Sequence, residues 1–401
     1  MRKPTLIPAL VLPLLATPAL AQDALAPAPA PVPAVPASAA VPTAPTAPAS
    51  APPVSVTWEG LVDTYYMYNF TGDPSTQGPA LRNFDVASNS FSLAYAKLAG
   101  GVDSEKFAFR VDLGFGHTAA IINGASGLGS PQMATTPGGT PSNDQLVAHS
   151  LYNNAFLVQQ AFGTLKLTPA FTVDAGRFVT SASAEVIEAN KNWLYSRSLL
   201  FFGVPALHTG VRVNAQINPA LKAQLSLVNG WNNDPDNNVG KTGGVSLIYS
   251  PPESGLTAAV NTYFGKEAAG SGGDIRLLVD GVVTKDIDST LSVGANVDYL
   301  KQGDLWWVGG ALMARYFLSD SLNLAVRGEL IKSKAGAFDG NKAGDDATIY
   351  EGTAMLGYVV AKHVEVRAEG RFDGSNKELF SKGSEPKKNQ ITGTLAFLTY
   401  F

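Results

Sequence analysis

From residue 56 to Phe401 this chain repeats with a period of two, and nowhere in that stretch do 18 apolar residues run together. Successive side chains of a β-strand point to opposite faces, so this period means strands with one apolar and one polar face. Phe107, Phe109, Val111, Leu113 and Phe115 alternate with Arg110 and Asp112. Val211, Val213, Ala215 and Ile217 alternate with Arg212, Asn214 and Gln216. The same holds for Leu322, Leu324, Val326 and Leu330 against Asn323, Arg327 and Glu329, and for Val364, Val366, Ala368 and Phe372 against Glu365, Arg367, Glu369 and Arg371. In 56–69, Val56, Trp58, Val62, Tyr66 and Tyr68 share a face opposite Glu59 and Asp63. A chain of this kind cannot cross a bilayer by helices. If it is in a membrane, it is there as a closed barrel, in which no strand edge is left unpaired.

Sixteen such segments can be drawn: 55–69, 87–101, 105–117, 150–166, 171–179, 208–217, 221–231, 241–249, 256–265, 274–286, 290–301, 305–318, 322–333, 347–360, 363–373 and 388–401. The fourth, tenth and twelfth alternate poorly. Most hold 10–15 residues, enough for a tilted strand to cross the hydrocarbon. The connections alternate in length. Short ones include 168–170, 218–220, 251–255, 288–289, 319–321 and 361–362; between them lie longer, polar, Gly-rich ones at 70–86, 118–149, 180–207, 232–240, 266–273, 334–346 and 374–387. Only the connection at Gln302-Gly303 is short on the long side. Short periplasmic turns facing long external loops is the pattern of outer-membrane barrels. The expected fold is therefore all-β: a transmembrane antiparallel up-and-down β-barrel of about sixteen strands, with 14–18 within reach of the pattern. An even count puts both termini on the periplasmic side.

The N-terminus fits that compartment. Arg2 and Lys3 precede an apolar stretch from Leu6 to Leu20, and Ala19-Leu20-Ala21 offers a small-x-small cleavage site. Residues 1–21 therefore read as a secretory signal peptide. Residues 22–54 are almost wholly Ala, Pro, Val, Ser and Thr, with Asp23 the only charge. That composition builds no core. It predicts a disordered Pro/Ala-rich periplasmic arm reaching at most about 100 Å at roughly 3.1 Å per residue. The barrel would occupy 55–401. Cysteine is absent, so rigidity must come from the closed sheet rather than from disulfides. Without Arg2 and Lys3 the chain carries 27 basic against 33 acidic residues, which argues against nucleic acid as a partner.

With lipid on the apolar face, the charged face lines water, and about sixteen strands enclose a lumen wide enough for an aqueous channel. The loop 180–207 is the candidate constriction. It holds Glu185, Glu188, Lys191, Trp193, Tyr195, Arg197 and the apolar run Leu199-Leu200-Phe201-Phe202, which water would not favour. Folded against the inner wall, Glu185 and Glu188 would face basic wall residues such as Arg177, Arg212, Arg327 and Arg367; Glu369 is a further pore-lining candidate. Opposed charges would set a transverse field that selects by charge. A loop packed outside the barrel or between subunits is the alternative. Aromatic residues near strand ends (Trp58, Tyr66, Tyr68, Trp231, Tyr249, Trp306, Trp307, Tyr316, Tyr350 and Phe401) suit interfacial girdles.

Signs of enzymatic chemistry are weak. The four histidines, His117, His149, His208 and His363, have no i, i+4 pairing, and neither G-x-S-x-G nor a P-loop occurs. His208 beside Thr209 is the nearest approach to a hydrolytic pair. The run Asp234-Pro235-Asp236-Asn237-Asn238 could bind a divalent cation, but an Asx-rich turn explains it more simply. No catalytic residue, resident metal or cofactor is expected.

The chain closes on Leu395-Ala396-Phe397-Leu398-Thr399-Tyr400-Phe401. This ending resembles the C-terminal signal strand of bacterial outer-membrane barrels, which implies that Leu395, Phe397 and Phe401 are read by the barrel-assembly machinery. Three internal stretches resemble the putative β-barrel porin-2, OmpL-like family: 58–66 (WEGLVDTYY), 196–205 (SRSLLFFGVP) with His208-Thr209-Gly210-Val211-Arg212, and Asn229-Gly230-Trp231-Asn232. The resemblance covers 55–401, leaves out the Pro/Ala arm, and implies an outer-membrane porin without catalytic residues. The expected function is passive diffusion of small hydrophilic solutes or ions. A substrate-selective channel for a sugar or other nutrient, and a structural or adhesive barrel with a closed lumen, are the alternatives. Expected partners are outer-membrane lipid, the barrel-assembly machinery and the solutes themselves, with a homotrimer left open.

Overall fold

The computed structural model describes residues 54–72, 78–125, 156–268, 273–338 and 346–401. The signal peptide, the arm up to residue 53 and most of the 118–149 loop lie outside the described residues. Sixteen long antiparallel strands close one barrel in sequence order. They are β1 (Ser55–Asn69), β2 (Ser90–Asp103), β3 (Phe107–Phe115), β4 (Phe156–Thr168), β5 (Phe171–Val179), β6 (Leu207–Asn218), β7 (Leu221–Val228), β8 (Thr242–Tyr249), β9 (Leu256–Lys266), β10 (Ile275–Asp286), β11 (Leu291–Gln302), β12 (Leu305–Phe317), β13 (Leu322–Lys334), β14 (Ala347–Ala361), β15 (Val364–Ser375) and β18 (Asn389–Tyr400). Two three-residue strands, β16 (Phe380–Lys382) and β17 (Glu385–Lys387), form a separate hairpin in the loop before β18. A nine-residue helix, α1 (His117–Ala125), follows β3, and a single turn, α2 (Leu199–Phe202), lies between β5 and β6. None of the described helices is long and apolar enough to cross a membrane.

Strands that alternate in sequence also alternate in burial where the inner face is covered, as β13 and β14 show. In β13 the residues Asn323, Ala325, Arg327, Glu329, Ile331 and Ser333 are buried inside the barrel, while Leu324, Val326 and Leu330 are exposed on its outer wall. Pairing to β12 and β14 continues without a slip along β13, so one face of the sheet stays inside throughout. Closure is made by the chain ends. β18 pairs with β1 from Leu61↔Tyr400 to Asn69↔Thr392. Beyond it, Gly60 N–H donates to the Phe401 carbonyl at 3.2 Å and Phe401 N–H to Gly60 at 3.1 Å. The Phe401 ring lies over Gly60 so closely that a Cβ there would sit 2.1 Å from its Cε1.

The aromatic residues divide more than a simple girdle predicts. Trp58, Tyr249, Tyr316 and Tyr350 are exposed on the outer wall. Trp307 instead points inward and is 1% exposed, and Trp231 is buried in the loop after β7. Both departures have the same cause: the inside of the barrel is not lined by polar groups alone. Tyr95, Tyr263, Leu278, Leu300, Trp307 and Ile331 also point inward, and the 180–206 segment covers them.

Candidate functional site

The 180–206 segment leaves the long-loop end of β5, turns into the barrel and returns to β6, forming a strap within the lumen. Its sequence explains why it stays. Leu199, Leu200, Phe201 and Phe202 are fully or almost fully buried, packed with Phe84 from the first long loop, Phe338 from the loop after β13, and wall residues Trp307 and Ile331. Ser198 caps the short turn by accepting from Phe201 N–H at 2.9 Å. Gly309 of β12 leaves the space that Leu200 enters; a Cβ there would meet Leu200 Cδ2 at 2.6 Å.

Burying this much backbone requires partners for its polar groups. The wall supplies carboxylates for the amides and guanidinium groups for the carbonyls. Glu369 accepts from Tyr195 N–H at 2.7 Å and Ser196 N–H at 3.1 Å. Glu329 accepts from Leu199 N–H at 2.7 Å and Leu200 N–H at 3.3 Å. Arg367 donates to the carbonyls of Ala189, Asn192 and Leu194 at 2.9, 3.0 and 3.2 Å. Arg371 and Arg327 donate to those of Arg197 and Ser196. On the other side Ser183 N–H reaches Asp280 and Ala184 N–H reaches Asn296, at 3.1 and 3.2 Å. The strap is thus held by β10 and β11, by β13 and β15, and, through Tyr195 Oη to Asp63 at 3.0 Å, by β1.

The charged side chains fall into contact rather than facing one another across water. Glu185 pairs with Arg327 at 2.8 Å; Arg327 is also 3.2 Å from Glu351 and 3.4 Å from Glu329. Glu188 meets Lys97 of β2, not one of the arginines expected, and also accepts from Gln159 at 3.1 Å. Burial pushes the Glu188 carboxyl up, but Lys97, then Lys191, outweigh it and hold it well below the usual carboxylate range. Lys191 reaches Glu59 at 3.1 Å, and Glu59 is shared with Arg110 at 2.9 Å. Arg197 stays within the strap, donating to Val186 O at 2.9 Å and lying over the Phe84 ring. Arg212 lines the lumen away from the strap, paired with Asp174 at 2.7 Å and stacked on Phe162 and Phe178. Arg177 departs from the expectation of a pore-lining residue. It is out of phase with the inward Asp174 and Phe178 and pairs with Asp234 of the loop after β7 at 3.3 Å. Leu395, Phe397 and Phe401 are all exposed on the outer wall.

Lys97, Glu329, Glu351, Arg371, Asp63 and Asp280 hold or surround the strap and were not singled out by sequence. Their only signal is a charge on the inward phase of a strand. The two other candidates have structural partners. His208 is buried, with Nδ1 2.9 Å from Gly230 O, Nε2 3.1 Å from Thr180 Oγ1, and its ring stacked on Tyr263. In 234–238 the side-chain oxygens accept from the backbone two residues on, Asp236 from Asn238 N–H at 3.0 Å and Asn238 from Gly240 N–H at 2.7 Å, as Asx turns do.

Solved structures with the same architecture are distant in sequence. The outer membrane channel DcaP of Acinetobacter baumannii superposes with a TM-score of 0.57 at 11% identity, over 87% of this chain and 97% of that one. The anion-selective porin from Comamonas acidovorans gives 0.56 at 11%, over 87% and 100%. OmpT of Vibrio cholerae, folded in vitro and described in its trimer form, gives 0.52 at 12%, over 87% and 99%. At such identities the likeness shows the fold alone. No curated protein sequence matches. Residues 55–401 match the family described as putative beta-barrel porin-2, OmpL-like, so the chain belongs to that family and is an outer-membrane porin.

Proposed function

We propose that the barrel passes small hydrophilic solutes or ions by passive diffusion, and that the strap is the constriction that narrows and charges the path. The observation that carries this reading is the contrast inside the lumen. The strap lies across it, while Thr164, Arg212, Asn214 and Gln216, on the short-turn half of β4 and β6, remain half-buried and polar. A wall with that pattern suits water, not a packed core. In this reading the N-terminal arm lies in the periplasm, Leu395, Phe397 and Phe401 are the assembly signal, and three copies assemble in lipid. The test is purified protein with heat-modifiable migration on a detergent gel, placed in planar bilayers. Discrete conductance steps are expected, and folded protein without conductance would overturn the reading.

One observation favours a second reading, a structural barrel with a closed lumen. The apolar cluster of Phe84, Leu200, Phe202, Trp307 and Phe338 joins strap, loops and wall into a core within the barrel. The same bilayer experiment separates the two, since a closed barrel gives heat-modifiable migration and no steps.

A further inference from the structure

Every arginine among the described residues except one makes a hydrogen bond. The exception is Arg315 of β12, which no hydrogen bond or ion pair ties to a described residue, and whose Nε is buried without a partner. It follows the inward Ala311 and Met313 in phase and lies in register between Ser292 of β11 and Ala325 of β13, toward the short-turn end. Its guanidinium carbon is 4.7 Å from the Phe317 ring and 5.3 Å from the ring of Trp193. Trp193 belongs to the strap, and its position is set by Arg367, which holds the carbonyls on either side of it.

This arrangement is selective about what remains available. Aromatic rings take the faces of a guanidinium and leave its N–H groups, which lie in its plane, free to donate. The nearby acids do not use them. Glu365 is held by Arg367 through both oxygens at 2.9 and 3.0 Å, and Asp286 accepts from Ser292 at 2.6 Å. A half-buried arginine fixed by two rings, with an open donor edge, matches one planar acceptor best, a carboxylate taken through two parallel N–H···O bonds.

We propose that Arg315, framed by Trp193 and Phe317, is a docking subsite for the carboxylate group of permeating solutes, on the short-turn side of the strap. The proposal rests on the porin reading and names the class of solute that this constriction favours. Binding is measured separately from conduction. Benzoate, with benzamide as its neutral analogue, is titrated calorimetrically into detergent-solubilised full-length protein, and both are added to single channels in bilayers. Arg315→Lys and Arg315→Gln are compared after each shows wild-type heat-modifiable migration. Benzoate should bind, benzamide should not, and Arg315→Lys, which keeps the charge but loses the fork, should bind at least tenfold more weakly. Benzoate should also reduce the unitary current of the wild type and not of Arg315→Gln. Equal binding by wild type and Arg315→Lys would mean that charge alone acts, and would overturn the subsite, as would equal binding of benzamide. Arg315-dependent binding without any conductance would instead leave the subsite standing and remove the porin reading.

Discussion

Arg327 is the side chain whose loss should most clearly separate a docked strap from a merely nearby one. Its side chain is wholly buried and lies 2.8, 3.2 and 3.4 Å from Glu185, Glu351 and Glu329, and it donates to the Ser196 carbonyl at 2.9 Å. Only Glu185 and Ser196 belong to the strap; the other two belong to the wall. In Arg327→Met the methylene volume is largely kept, but three carboxylates lose their shared cation. Removing one partner of a buried ion pair costs about 3–5 kcal/mol, because the charge left behind has neither water nor counterion. At 1.4 kcal/mol per tenfold, that weakens strap docking by about a hundredfold to a few thousandfold if most of the cost falls on the strap. The variant should then show larger, noisier conductance steps in planar bilayers than the wild type. Arg327→Met combined with Glu185→Gln removes one stranded charge, so it should recover part of the lost melting temperature and quieten the channel. The reasoning fails if Arg327→Met gives wild-type step size and noise. It also fails if the double variant is less stable than the single one, since that would show that Glu185 does not depend on Arg327.

Two further predictions concern the closing seam and the acid end of the strap. Gly60→Val places a Cβ against the Phe401 ring, and because that ring is the free end of a side chain it should swing away while both Gly60–Phe401 backbone bonds persist. Refolding into the heat-modifiable form should slow with conductance unchanged, whereas Gly163→Ala, where a Cβ meets nothing within 4 Å, should refold like wild type; equal rates for both would remove the ring from assembly. For Glu188, in the strap rather than in a spanning strand, the folded pKa lies below the unfolded one. Its contribution is therefore full above the unfolded value of about 4.3 and is lost as pH falls from there through the depressed folded value. Wild type should melt above Glu188→Gln by the same margin at pH 7 and pH 5 and by less at pH 3, and a margin that already shrinks between pH 7 and pH 5 would contradict the Lys97 pairing.

The strands were legible because one physical rule governs nearly all of them: lipid outside, polar groups inside, two residues per repeat. β13 shows it cleanly, with Leu324 and Val326 outward and Asn323 and Arg327 inward. The ends were legible too, since an apolar strand that stops on Phe401 has β1 as its neighbour in a closed sheet. Individual pairings were not. That Glu188 meets Lys97 while Arg212 meets Asp174 depends on the path the strap takes, and no strand periodicity encodes a path. The alternation in β5, by contrast, holds to its end and places Arg177 on the outward phase. Arg177 sits between inward-facing Gly176 and Phe178, so the pattern itself places it outside, and only the attraction of a basic residue near the loop argued otherwise.

The three segments that alternated poorly carry the information that the regular ones lack. In β4 the register slips between Asp112 and Leu113 of its partner strand. The slip turns Gln159 and Gln160 both inward, one to Glu188 and the other to Asp112. In β10 and β12 both faces are apolar over part of their length, because the outward residues meet lipid and the inward Leu278, Trp307 and Ala311 belong to the core that the strap completes. A lumen filled with water would favour neither Leu278 nor Trp307 on its wall, since each would expose apolar area to water at about 25 cal/mol per Å². The broken alternation is thus a record of what lies inside. Where a porin strand is apolar on both faces, the inner face has found something other than water. In this chain that partner includes Leu199-Leu200-Phe201-Phe202, a loop run too apolar to favour water.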